Sequence, residues 1–160
     1  MTAAQKEYGG ALYELAAEEK CEDQVLEGLQ LTQRLFRENP DYSKLLLQPS
    51  IRKEDRLALL DRALGGNVQP YVLNFLKILC ERRALSDLDG CVAEFCARLY
   101  EARGILPVTA ISAVPLTEQQ TQALKEKLAQ VTGKSILIEN KVDEALVGGI
   151  KVEYEGKELD

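Results

Sequence analysis

Up to Gly104 the apolar residues of this chain return every three or four positions, and beyond it several segments alternate every second one. The first spacing gathers side chains on one face of an α-helix, the second on one side of a β-strand. One element type cannot satisfy both periods, so the chain is expected to fold in two unlike parts. These are an N-terminal six-helix bundle over residues 1–104 and a small C-terminal α+β domain over residues 105–160, mainly α overall.

In the first part, Tyr8, Ala11, Leu12 and Leu15 share a helical face, and Val25, Leu29, Thr32 and Phe36 share the next. The second helix should stop at Asn39-Pro40, because a residue before proline disfavours the α region. SKLLLQP leaves room for one short helix before Pro49. From about Arg52 a longer one aligns Leu57, Leu60 and Leu64, and Gly65-Gly66 supply a left-handed stop. Pro70 opens the most apolar helix, whose face is Val72, Phe75, Leu76 and Leu79. The last is expected to start near Ser86, a capping hydroxyl, and to carry Leu88, Val92, Phe95 and Leu99 inward. Gly9 and Gly10 leave two readings open. Either the first helix accepts about 1 kcal/mol per glycine so that another helix can approach closely, or it begins only after them.

In the second part, ILPVTAISAV reads as a strand, and Thr117 with Gln120 forms a capping-box pattern ahead of a helix that aligns Leu124, Leu128 and Val131. Gly133 should end that helix. SILIEN is a second strand, and after Gly148-Gly149 a third sets Ile150, Val152 and Tyr154 against Lys151, Glu153 and Glu155. The glycine pair is expected to turn the backbone into that last strand, at positive φ or packed against another backbone.

Chemistry is sparse. TGKS at 132–135 ends like a phosphate-binding loop, but such a loop needs glycine where Leu128 stands, and it must run from strand into helix, the reverse of the order here. With no histidine, a serine or cysteine nucleophile lacks its usual base, and four dispersed cysteines would have to converge alone to hold zinc. Free, partly buried thiols are the expectation for Cys21, Cys80, Cys91 and Cys96. Adjacent acids such as Glu18-Glu19, Glu22-Asp23 and Asp143-Glu144 point about 100° apart on a helix and read as solvated faces. Catalytic residues, cofactor, nucleotide and metal are therefore all expected to be absent.

Net charge is −6, and both parts are acidic: residues 1–104 carry 14 Lys+Arg against 17 Asp+Glu, and residues 105–160 carry 6 against 9. That balance argues against a nucleic-acid surface. LALL and YVLNFL are far too short to span a bilayer, and the acids among the first twenty residues argue against a signal peptide. What remains is an interaction protein, and helical bundles commonly hold an amphipathic partner helix in an apolar groove.

YGGALYELA near the start, NFLKIL in the fifth helix, VTAISAVPLTEQQ, and ILIENKVDEALVGGIKVEYE at 136–155 together resemble the δ subunit of F-type ATP synthases, the counterpart of the mitochondrial oligomycin-sensitivity-conferring protein. The likeness spans essentially the whole chain. Asp143, Gly148 and Gly149 match its C-terminal signature. The resemblance implies a non-catalytic stator subunit whose bundle holds the N-terminal helix of an α subunit between its first and fifth helices. On this chain that groove would draw on Tyr8, Ala11, Leu12, Leu15, Val72, Phe75, Leu76 and Leu79. It further implies contact between the C-terminal domain and the b subunits of the peripheral stalk. The location implied is peripheral, on the cytoplasmic side of a bacterial inner membrane or an organellar equivalent, with no membrane insertion. A generic helical adaptor is the alternative. The chain departs from the pattern at Gly9, where alanine is common, and at Arg82-Arg83-Ala84, where Asn-Gly-Arg is common. The pattern also runs on past the position of Asp160 with a further amphipathic helix, which the C-terminal domain is expected to lack.

Overall fold

The computed structural model describes residues 1–155 and 157–159. Gly156 and Asp160, the last residue of the expected C-terminal domain and the point past which a further helix is implied, lie outside the described residues. The fold is mainly helical with a small four-stranded sheet near the C-terminus. In order come α1 (Ala3–Glu18), α2 (Glu22–Glu38), α3 (Pro40–Leu47), α4 (Lys53–Leu64), α5 (Pro70–Glu81), a 3-10 turn (Leu85–Asp87) and α6 (Leu88–Arg103). Then follow β1 (Ile105–Ser112), α7 (Glu118–Thr132), β2 (Ser135–Val142), β3 (Ile150–Tyr154) and β4 (Lys157–Leu159). Two compact units result, residues 1–99 and 100–160, so the division falls inside α6 rather than at Gly104.

In the first unit, one apolar core joins Leu12, Val25, Leu29, Leu46, Leu60, Leu64, Val72, Leu76, Leu79, Phe95 and Leu99. The question left by Gly9 and Gly10 is resolved by a capping box at Thr2. Gln5 N donates to Thr2 Oγ1 at 3.1 Å and Thr2 N to Gln5 Oε1 at 3.0 Å, so α1 starts at Ala3 and both glycines lie inside it. Both are buried. A Cβ on Gly9 would lie 3.0 Å from the Cα of Cys91 and from Glu94 Cβ, and one on Gly10 would meet the Arg98 guanidinium. The close approach is thus made by the chain's own α6. Edge-to-face packing of Tyr13 on Phe95, centroids 5.6 Å apart, fills the same seam.

Two local expectations shift. The last helix is preceded by the 3-10 turn, so Ser86 is exposed and lies before its first residue instead of capping it. Gly66, at φ 78°, takes the left-handed position after α4, while Gly65 does not.

In the second unit, β1 and β2 are parallel with α7 as the crossover, and β3 adds antiparallel on the other side of β1, giving the order β2-β1-β3-β4. β4 is a strand the alternation did not reveal, because three residues are too few to show a period. Pro107 is tolerated in β1 because β3 pairs only from Thr109 to Ser112, leaving Pro107 without a partner on that side. The expected capping box at Thr117 and Gln120 is present, and Gly133 ends α7 in the left-handed conformation at φ 72°. Leu124 and Leu128 face the sheet core, but Val131 is 72% exposed. The inward stripe continues from Leu128 to half-buried Thr132, one helical turn on, and bypasses Val131.

Candidate functional site

α1 packs against both α2 and α5, so the predicted groove helices are neighbours. The structure divides the eight groove candidates sharply. Val72, Leu76 and Leu79 have no exposed surface, and Leu12 and Phe75 are also core. A side chain without surface cannot touch a docked helix, so Val72, Leu76 and Leu79 lie beneath the surface of α5, while Leu12 and Phe75 keep only a small exposed edge. Ala11 and Leu15 are exposed and Tyr8 is half-buried.

The outer surface comes from a second stripe on each helix. On α1, Ala4, Tyr8, Ala11 and Leu15 stand at the spacing of one face, about half a turn from the seam that Gly9 and Gly10 make with α6. On α5, Tyr71, Phe75 and Ile78 do the same, and Ile78 is 46% exposed. The opposite flank of α5 faces α4 through the Lys77–Asp61 ion pair at 2.6 Å. Tyr71 and Ile78 were missed because the deeper Val72-Leu76-Leu79 stripe satisfies the helical period by itself. The available signal was α5's surplus of large apolar residues, more than one face needs.

The signature residues Asp143, Gly148 and Gly149 form a turn after β2. Asp143 N donates to Ser112 O at 2.8 Å, and the Asp143 carboxylate accepts from Ala145 N at 3.0 Å. Gly148 and Gly149 sit at φ 142° and 77°, with nothing within 4 Å of an added Cβ. Positive φ, not close packing, is therefore what the pair supplies. Nearby, Asn140 Nδ2 donates to Ala110 O at 2.9 Å and its Oδ1 accepts from Leu116 N at 2.9 Å, which fastens the β1–α7 loop to β2. Apolar surface is also exposed in this unit at Leu137 and Val142 of the outer strand β2, and at Val147 in the turn.

In TGKS, Gly133 is the helix stop and Lys134 Nζ reaches Glu155 at 3.4 Å. The four cysteines are free thiols, with Cys80 and Cys91 buried. Burial, with Asp87 adding to it, pushes the Cys91 thiol up to about 11. Burial likewise pushes the Tyr42 hydroxyl up to about 12, and that hydroxyl donates to Leu59 O at 2.8 Å.

A sequence profile of the ATP synthase delta (OSCP) subunit matches residues 4–160. The chain belongs to that family. Among its relatives, the ATP synthase subunit delta of Synechococcus elongatus is 35% identical over 154 residues, which is 96% of this chain and 86% of that protein. That of Geobacillus sp. is 35% identical over 148 residues, 92% of this chain and 83% of that protein. In fold, the chain resembles one from the Toxoplasma gondii mitochondrial ATP synthase hexamer, with a TM-score of 0.77, 16% identity, and coverage of 98% of this chain and 87% of that one. Members of the delta (OSCP) family are subunits of the F-type ATP synthase and not its catalytic ones, so the resemblance carried by the glycine turn and the strands around it holds along the chain. No described helix is long and apolar enough to cross a membrane.

Proposed function

We propose that this chain is the stator subunit that ties the catalytic head of an F-type ATP synthase to its peripheral stalk. Helices α1–α6 act as the head-binding six-helix domain, holding the N-terminal helix of an α subunit along α1 and α5. The α+β domain from residue 105 contacts the b subunits. The work is mechanical: a rotor turning inside the head drags the head with it unless an external connection resists. Two contacts, one per domain, reinforce each other through effective concentration.

The observation that carries this reading is the paired apolar stripe, Tyr8, Ala11 and Leu15 on α1 with Tyr71 and Ile78 on α5, left partly exposed over a filled core. An amphipathic helix laid there would cover it with its own i, i+4, i+7 positions. Exposed Glu7, Glu18 and Glu81 on the same two helices suit a partner with basic residues beside its apolar face. On this reading the protein sits at the cytoplasmic side of a bacterial inner membrane or its organellar equivalent, without inserting.

The test is an amide-shift titration of the whole chain with a peptide from the N-terminus of a cognate α subunit. Saturating shifts are expected on α1 and α5. No response at peptide concentrations on the order of millimolar, or shifts confined to residues 100–160, would overturn the assignment.

A further inference from the structure

Below α5, away from the paired stripe, lies a cavity of about 230 Å³ lined by Leu46, Leu47, Pro49, Arg56, Cys80, Arg83 and Leu85. Its volume equals roughly seven or eight liquid-water volumes. Arg56 is only 4% exposed, yet no ion pair among the described residues includes it. Of its five N–H donors, one makes a long bond from Nη1 to Cys80 O at 3.4 Å, and buried Nε has no partner. A buried guanidinium is normally held by a carboxylate or by several acceptors, because desolvation is otherwise uncompensated. The cavity is lined in part by this side chain.

A second cation stands at the same place. Arg83 follows the end of α5 at φ 55°, a left-handed position that ordinarily favours glycine. Its N–H donates to Cys80 O at 3.1 Å and Ala84 N to Leu79 O at 2.7 Å, so the helix end is closed by backbone bonds that glycine could make equally well. Burial pushes the Cys80 thiol up most, the Arg56 and Arg83 guanidiniums pull it down, and the Glu81 carboxylate adds to the upward push. The rest of the lining is apolar: Leu46 and Leu85 are buried, and Leu47 and Pro49 stand at the exposed side.

We propose that this cavity is a binding site for a small carboxylate bearing a short apolar tail, with Arg56 as its buried cationic partner, Arg83 as a second cation, and the Leu46, Leu47, Pro49 and Leu85 side chains around the tail. A carboxylate is the better match than phosphate because, beyond the two guanidiniums, most of the wall is apolar and offers no donors to the additional oxygens of a phosphate.

Amide-shift titration of the whole chain with pentanoate, acetate and inorganic phosphate, at constant ionic strength set by chloride, tests it. Pentanoate should give saturating shifts at Leu46, Leu47, Cys80 and Leu85, with an affinity on the order of millimolar for about seven heavy atoms. Acetate should bind more weakly, by about fourfold for each methylene removed. Arg56→Met should remain folded, since an apolar replacement of a buried charge is often neutral, and should abolish the shifts. Arg83→Gly, which suits the backbone, should weaken pentanoate by about tenfold, the order of a lost charge-assisted bond. Shifts that scatter over the surface, an affinity unchanged in Arg83→Gly, or phosphate binding as tightly as pentanoate would overturn the proposal. Should Arg56→Met fail to fold, Arg83→Gly decides alone.

Discussion

The two units spend their apolar residues differently. In the helical unit, α5 has a stripe wholly inside the core and a second one at the surface, so buried and exposed apolar faces are carried by different side chains of one helix. The α+β unit has a smaller core, Leu106, Val108, Leu128, Ile136 and Val152, and leaves Leu137 and Val142 exposed on its outer strand. Depth of burial therefore separates two apolar faces in the first unit, whereas the second has a single layer of helix on sheet. A substitution in α5 should accordingly affect either folding or binding, depending on which stripe it strikes.

The largest effect is expected from Leu76→Asp. Leu76 is completely buried, so an aspartate there should cost about 4 kcal/mol or more and unfold the helical unit, with loss of its helical circular dichroism. A folded variant that merely lost peptide binding would place Leu76 in the groove and break the contrast. Next is Gly9→Val, which drives a branched side chain into the backbone of α6 at Cys91. A loss of about 3 kcal/mol in denaturant unfolding is expected, and an unchanged midpoint would show that α6 does not press on α1.

Gly149→Val tests whether the units are separable. At φ 77° a β-branched residue should cost about 2 kcal/mol, read as lost amide protection in residues 105–155, while peptide binding by α1 and α5 persists. Ile78→Asp is the complement: its stability should stay within about 0.5 kcal/mol of the parent chain, while peptide affinity drops by about tenfold.

The smallest effect is a pH slope. Cys91 ionises near 9 when unfolded and near 11 when buried, so the stability linked to its neutral form is complete below pH 9 and is lost as pH rises through 11. Denaturation midpoints should fall over that window, and fall less steeply in Cys91→Ala. Equal slopes would show that the thiol is not buried as described.

Much of the fold was legible because its signals are local. Proline at the head of α5, the capping box at Thr117, the helix stop at Gly133 and the period of two in β3 each act within a few residues. The start of α1 was legible in principle, since Thr2 and Gln5 have the same three-residue spacing as Thr117 and Gln120, and reading that box would have resolved Gly9 and Gly10. The groove was only half legible. Helical spacing shows that residues share a face but not which face is inward, and α1 and α5 each carry two candidate faces.

By itself, the sequence determined the order of the seven α-helices and the first three strands, the change of period after Gly104, the turn at Gly148 and Gly149, and through these the family. Those features follow from backbone sterics and side-chain periodicity, which every short segment carries with it. Only the tertiary structure decided that α6 occupies the glycine seam of α1, that Leu76 lies inside while Ile78 stays out, that Val131 is left uncovered, and that Arg56 is buried beside a cavity. Burial belongs to pairs of elements far apart in the chain, so each of these outcomes depended on which neighbour arrived.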